Sequence, residues 1–129
     1  MINIILFILL VLLSYYLQQN NTNCYSKKKS TYIYNFIHHI LSVYGIFGSI
    51  LFKNYLFHLI SILSIMILWQ LYNNRCPLTL IYNKDCKINI DTGFYDISKY
   101  LSEKINIPLR YPIYIGIIIY DIINIYLKY

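Results

Sequence analysis

Four apolar stretches divide the chain, at about 3–17, 33–52, 55–73 and 111–128, with polar segments at 18–32 and 74–110 between them. A helix that crosses a bilayer needs about 20 mainly apolar residues, within a range of about 17–25. The second, third and fourth stretches reach that length with their aromatic flanks. The first has an uncharged core from Ile4 to Leu13 and needs Tyr15, Tyr16 and Leu17 to reach it. Hydrocarbon offers no partner to an open N–H or C=O, so each stretch is expected to be helical. The many isoleucines do not argue for strands, because two-residue alternation is absent. The expected fold is an all-α membrane protein forming one domain, residues 1–129, with four transmembrane helices. The first stretch also has the length of a secretory signal core. No positive residue precedes it and no small-x-small cleavage site follows cleanly, so it reads as an uncleaved anchor.

Lys53-Asn54 is the one polar break between the second and third stretches and predicts a tight helical hairpin over 33–73. The segment 74–110 is too long for a bare connection and is expected to have structure of its own. Within it, Phe94, Ile97, Leu101 and Ile105 recur at helical spacing, which predicts a short amphipathic helix near 94–105, with Asp91 or Thr92 as its cap. Such a helix lies on the membrane surface or packs over the mouth of the bundle. Pro108 ends it, and Pro112 suits the first position of the last helix.

Composition sharpens this picture. Hydrophobic residues make up 58% of the chain and charged ones 12%, against about 25% charged in soluble domains. A water-soluble enzyme and a nucleic-acid partner are therefore not expected. The net charge of +6 reads instead as a topology signal. Placing loops 18–32 and 74–110 on one side gathers nine Lys and Arg there and leaves Lys53 and Lys128 on the other. The positive-inside rule then makes those loops cytoplasmic and both termini external or lumenal. One signal dissents: Asn20-Asn21-Thr22 is a glycosylation sequon. The chain has no alanine, 27 Ile, 16 Tyr and 12 Asn, the signature of an A+T-rich genome such as that of a large virus. Single tyrosines and asparagines therefore carry little functional weight.

Four ionisable residues fall inside the apolar stretches: His38, His39, His58 and Asp121. At membrane depth such groups are costly and are functional candidates by default. The hairpin sets His39 and His58 about ten residues apart in depth, roughly 15 Å, so they do not share one metal or haem iron. If the last helix starts level with Ile33, His39 and Asp121 differ by about 4.5 Å in depth. They are the expected intramembrane pair, with Ser42, Tyr44 and Ser64 nearby. His58, Trp69 and Cys76 are the candidate ligand or redox residues. Cys24, Cys76 and Cys86 show no Cys-x-x-Cys and no usual zinc spacing. In a reducing cytoplasm they are expected to be free thiols, and a Cys76–Cys86 bridge is the alternative under inverted topology. Cys76-Pro77-Leu78-Thr79 reads as a helix exit, since Pro77 removes a donor and moves Cys76 out of helical geometry. Arg75 beside Cys76 would favour a thiolate. No catalytic motif, metal site or cofactor is expected.

In order, His38, Gly48, Phe57-His58-Leu59, Trp69, Cys76-Pro77-Leu78-Thr79, Gly93-Phe94 and Asn124-x-Tyr126 form a pattern over residues 33–126. It resembles a small bacterial multi-pass membrane-protein family of unknown function. The resemblance implies an intramembrane histidine, a His-Leu opening the next helix, and Cys-Pro-Leu-Thr where that helix leaves the bilayer. It also implies that the Cys-Pro-Leu-Thr side faces away from the cytoplasm. This chain has Leu80-Ile81-Tyr82 where the family has an acidic residue, and it lacks a His-Tyr after Gly-Phe. No activity comes with the resemblance. The expected function is a structural or interaction role in a virion, endomembrane or cell membrane, with lipid as partner and oligomerisation through the membrane helices. The alternative is a small redox or ligand-binding membrane protein using His39, Trp69 and Cys76.

Overall fold

The computed structural model describes residues 1–89, 92 and 94–128. Its helices are α1 (Ile2–Asn21), α2 (Lys29–Phe52), α3 (Tyr55–Leu71), α4 (Pro77–Cys86), α5 (Ile97–Ile105) and α6 (Arg110–Lys128), and no strand occurs among the described residues. α2 is the centre of the bundle and touches α1, α3, α4 and α6. Three helices, α1, α2 and α6, are long and apolar enough to cross a membrane. α3 is apolar but has only 17 residues. The third predicted span, drawn over 55–73, is thus shorter than expected. Asn73 and Asn74 take left-handed backbone, with φ of 54° and 62°, and the helix does not run through them.

The long helices turn their polar and small side chains inward. α2 buries Thr31, Asn35, His38, His39, Ser42, Gly45, Gly48 and Ser49, a stripe at three- and four-residue spacing. α1 buries Ser14 and Gln18 beside Val11. α6 buries Tyr114 and Asp121, two turns apart. Many apolar side chains point outward: Ile8, Leu12, Ile33, Ile60, Ile67, Ile119 and Ile122 are each more than half or about half exposed. A helix in water shows the opposite arrangement, with its apolar stripe toward the core. Close-packed small residues and inward polar groups are what membrane helices use to associate.

The polar segment 74–110 contains two helices where one is predicted. Cys76 is the N-cap of α4 and Pro77 its first residue. The Cys-Pro-Leu-Thr motif therefore starts a helix, which corrects its reading as an exit. Proline is suited to that position because the first-turn N–H has no partner to lose and its φ is preset. α5 begins at Ile97, later than the predicted Phe94, and its cap is Asp96, which accepts from the Lys99 N–H at 2.9 Å. Asp91 lies outside the described residues. Thr92 is not the cap; its N–H bonds to the Asn89 carbonyl at 2.9 Å. α5 packs over the bundle mouth against α1 and α6. Ile97 is buried with Val11 and Val43, while Leu101 and Ile105 stay exposed. Pro112 falls inside the first turn of α6, not at its start.

Cys24 and Cys86 form a disulfide across 62 residues, and Cys76 alone is a free thiol. This corrects both the expectation of three free thiols and the Cys76–Cys86 alternative. The bond ties the α1–α2 connection to the end of α4. Asp85, next to it, accepts from Lys28 Nζ at 2.9 Å and from Thr31 Oγ1 at 2.8 Å. The Lys28 and Thr31 hydrogen bonds hold its carboxyl below the usual carboxylate range.

Candidate functional site

One polar assembly lies toward the disulfide-linked end of the bundle and another toward the α2–α3 hairpin. At the disulfide-linked end, α2, α3 and α6 meet α4 and α5 around a cavity of about 370 Å³. Its apolar walls include Leu41, Ile65, Leu68, Trp69 and Leu78, and its polar lining includes His38, Ser42, Cys76, Asp96, Lys99 and Arg110. His38 and Ser42, one turn apart on α2, both face it. His38 Nδ1 is 3.3 Å from Thr79 Oγ1, and its ring centroid lies 3.5 Å from that of Phe94. Thr79 thus serves the histidine rather than freed backbone groups.

Ser42 donates to Asp96 Oδ2 at 2.7 Å. Asp96 Oδ1 accepts from Ser98 Oγ at 2.6 Å and from the Lys99 N–H. One carboxylate therefore caps α5 and fastens it to α2. On the far wall, Trp69 meets Tyr114 edge to face at 5.1 Å, and the Arg110 guanidinium carbon lies 4.1 Å from the Trp69 ring centroid.

Toward the hairpin, His58 Nδ1 lies 2.6 Å from Asp121 Oδ2, and both side chains are fully buried. His58 Nε2 is 2.8 Å from the Tyr44 carbonyl oxygen. A carbonyl only accepts, so Nε2 carries a proton. A second proton must sit between Nδ1 and Oδ2, on either atom, or two lone pairs would face each other at 2.6 Å. In both arrangements the pair is electrically neutral as a unit. Asp121 Oδ1 is buried without a hydrogen-bond partner.

Gly48 makes this contact sterically feasible. A Cβ there would lie 2.7 Å from Tyr44 Cδ2 and 2.8 Å from His58 Cδ2. Gly48→Ala is expected to displace a histidine held by two hydrogen bonds, at about 1–3 kcal/mol. A Cβ at Gly116 meets nothing within 4 Å, and Gly116→Ala should be neutral or stabilising by about 0.5–1 kcal/mol. Parallel melts in detergent check this, and equal shifts for the two variants would remove the special role of Gly48.

The predicted His39–Asp121 pair is not formed. Asp121 bonds to His58, while His39 Nδ1 shares a 2.8 Å hydrogen bond with Ser14 Oγ on α1. The register is the cause. Tyr114 packs against Gly45, whereas a start level with Ile33 would put it beside Asn35. α6 sits seven to ten residues deeper than assumed, roughly 10–15 Å. Ser64 bonds back to the Ile60 carbonyl on its own helix and is exposed. Of the ligand candidates, Trp69 and Cys76 share the cavity, His38 lines it where His39 was expected, and His58 belongs to the other assembly. Sequence reasoning missed Asp96, Arg110 and Tyr114. The only available signal was the pairing of His38 with Ser42 on one helix face. Among the described residues, no cluster of three or more His, Cys, Asp or Glu is placed to hold a metal ion.

These features define an all-helical bundle with three helices fit to cross a membrane and polar groups gathered inside it. No protein-family model, no curated protein and no solved structure matches the chain.

Proposed function

We propose that the chain is a multi-pass integral membrane protein with a structural or interaction role, its disulfide-linked end facing away from the cytosol. The inverted burial of its helices carries this reading, with most isoleucines and leucines outside and the histidines, Asp121, Asn35, Ser14, Ser42 and Ser49 inside. Lipid is the partner such a surface fits. For the orientation, two signals compete. The positive-inside rule is a bias of loops near the spans. The Cys24–Cys86 bond is a chemical product that persists in oxidising compartments. The bond is the more specific signal, and the orientation implied by the resemblance agrees with it. Both termini then lie in the cytosol.

Labelling of Cys76 tests the orientation. In sealed, right-side-out membranes an impermeant maleimide is expected to modify Cys76 without permeabilisation. Modification only after permeabilisation would reverse the assignment.

A second reading, a ligand-binding membrane protein, is favoured by one observation. Trp69 and Cys76, from separate helices, converge with His38 on a single cavity.

A further inference from the structure

We propose that the cavity beneath α4 and α5 binds a single-chain amphipathic anion, with its carboxylate or phosphate on Arg110 and its apolar body along Leu41, Ile65 and Leu68. The proposal rests on the ligand-binding reading of this cavity and names the ligand class. A volume of about 370 Å³ lies near the lower end of the roughly 300–1,000 Å³ typical of small-molecule sites. It suits one chain or one ring system rather than both tails of a phospholipid.

The charge at the cavity selects the anion. Arg110 lies over the face of Trp69, and stacking of this kind leaves the N–H donors along the guanidinium edge available. Arg110 makes no ion pair with a carboxylate among the described residues. Asp96 is the single acid among the described residues of the lining. Both of its oxygens already accept hydrogen bonds, from Ser42, Ser98 and the Lys99 N–H. Lys99 adds a second cation, half-exposed and 3.7 Å from Glu103. The start of α4 also borders the cavity through Cys76, Pro77 and Leu78, and no side chain caps it. Its dipole adds positive potential there. A neutral or cationic amphiphile would leave Arg110 without a direct ion-pair partner.

Trp69 is the chain's single tryptophan, so its fluorescence reports on the cavity directly. The full chain in phosphatidylcholine nanodiscs is titrated with dodecanoate, dodecyl phosphate and dodecanol. Both anions are expected to give a saturable change, with midpoints about tenfold below that of dodecanol. Arg110→Gln should raise the anion midpoints about tenfold and leave that of dodecanol in place. Equal midpoints for the anions and dodecanol in the unaltered chain would overturn the anion assignment while the ligand-binding reading stood. No saturable response to any of the three would overturn both. Discs containing an anionic diacyl lipid separate the sources. Weakened dodecanoate binding there makes the bilayer the supplier of the anion, and unchanged binding makes it a soluble single-chain molecule. Either result upholds the ligand class.

Discussion

His58→Leu is expected to lower stability by about 3–5 kcal/mol, because it strands Asp121 in the bundle without its partner. Asp121 is fully buried, and its second oxygen already lacks a hydrogen bond. Asp121→Leu should be milder, at about 1–3 kcal/mol, since it leaves one neutral imidazole nitrogen unpaired. Asp121→Asn should be milder still. The Tyr44 carbonyl keeps the proton on Nε2, so Nδ1 is free to accept from an amide. The double change His58→Leu with Asp121→Leu should lose less than the sum of the two singles, because apolar side chains fill the space of the pair. Combining His39→Leu with Asp121→Leu should instead be additive, as for residues that share no contact. Thermal melts of the variants in one detergent give the order. Additivity in the His58 cycle would mean the contact carries no coupling.

Loss of the Cys24–Cys86 bond ranks second. Its 62-residue separation corresponds to about 4 kcal/mol of loop-closure entropy, within a usual range of about 2–4 kcal/mol. Cys24→Ser or Cys86→Ser should lower the midpoint of unfolding by that measure. Cys76→Ser, which breaks no bond, should not. Thiol counting on the denatured chain offers a direct check: one reactive thiol before reduction and three after. Three before reduction would mean that the staple is absent and would remove the basis for the proposed orientation.

The helices are legible in the sequence because long apolar stretches without two-residue alternation read as helices, and the two-residue hairpin is legible because Lys53-Asn54 is the sole polar break. α4 is not. Residues 77–86 mix Leu and Ile with Asn, Lys and Asp, and the buried face, Thr79, Tyr82, Asn83 and Cys86, is largely polar instead of an apolar stripe. The inward stripe of α2 is readable once polar residues, not apolar ones, are taken as the buried face. Partners are harder. Asp121 is identifiable as a buried acid by its position, but the choice between His39 and His58 depends on how deep α6 enters. That depth shows only in the packing of α6 on α2 and α3, with Tyr114 against Gly45, and no local pattern encodes it. The cavity is assembled from five helices, so its membership is a property of packing alone.

The neutrality of the His58–Asp121 unit has an electrical consequence. A lone charge moved across a membrane potential exchanges about 2.3 kcal/mol per 100 mV. The unit holds one proton beyond that on Nε2, whichever atom carries it, and shifting that proton within a 2.6 Å contact displaces almost no charge along the field. A resting or collapsing membrane voltage therefore exerts negligible force on this part of the bundle. In the proposed membrane setting the pair is a voltage-indifferent joint, not a sensor.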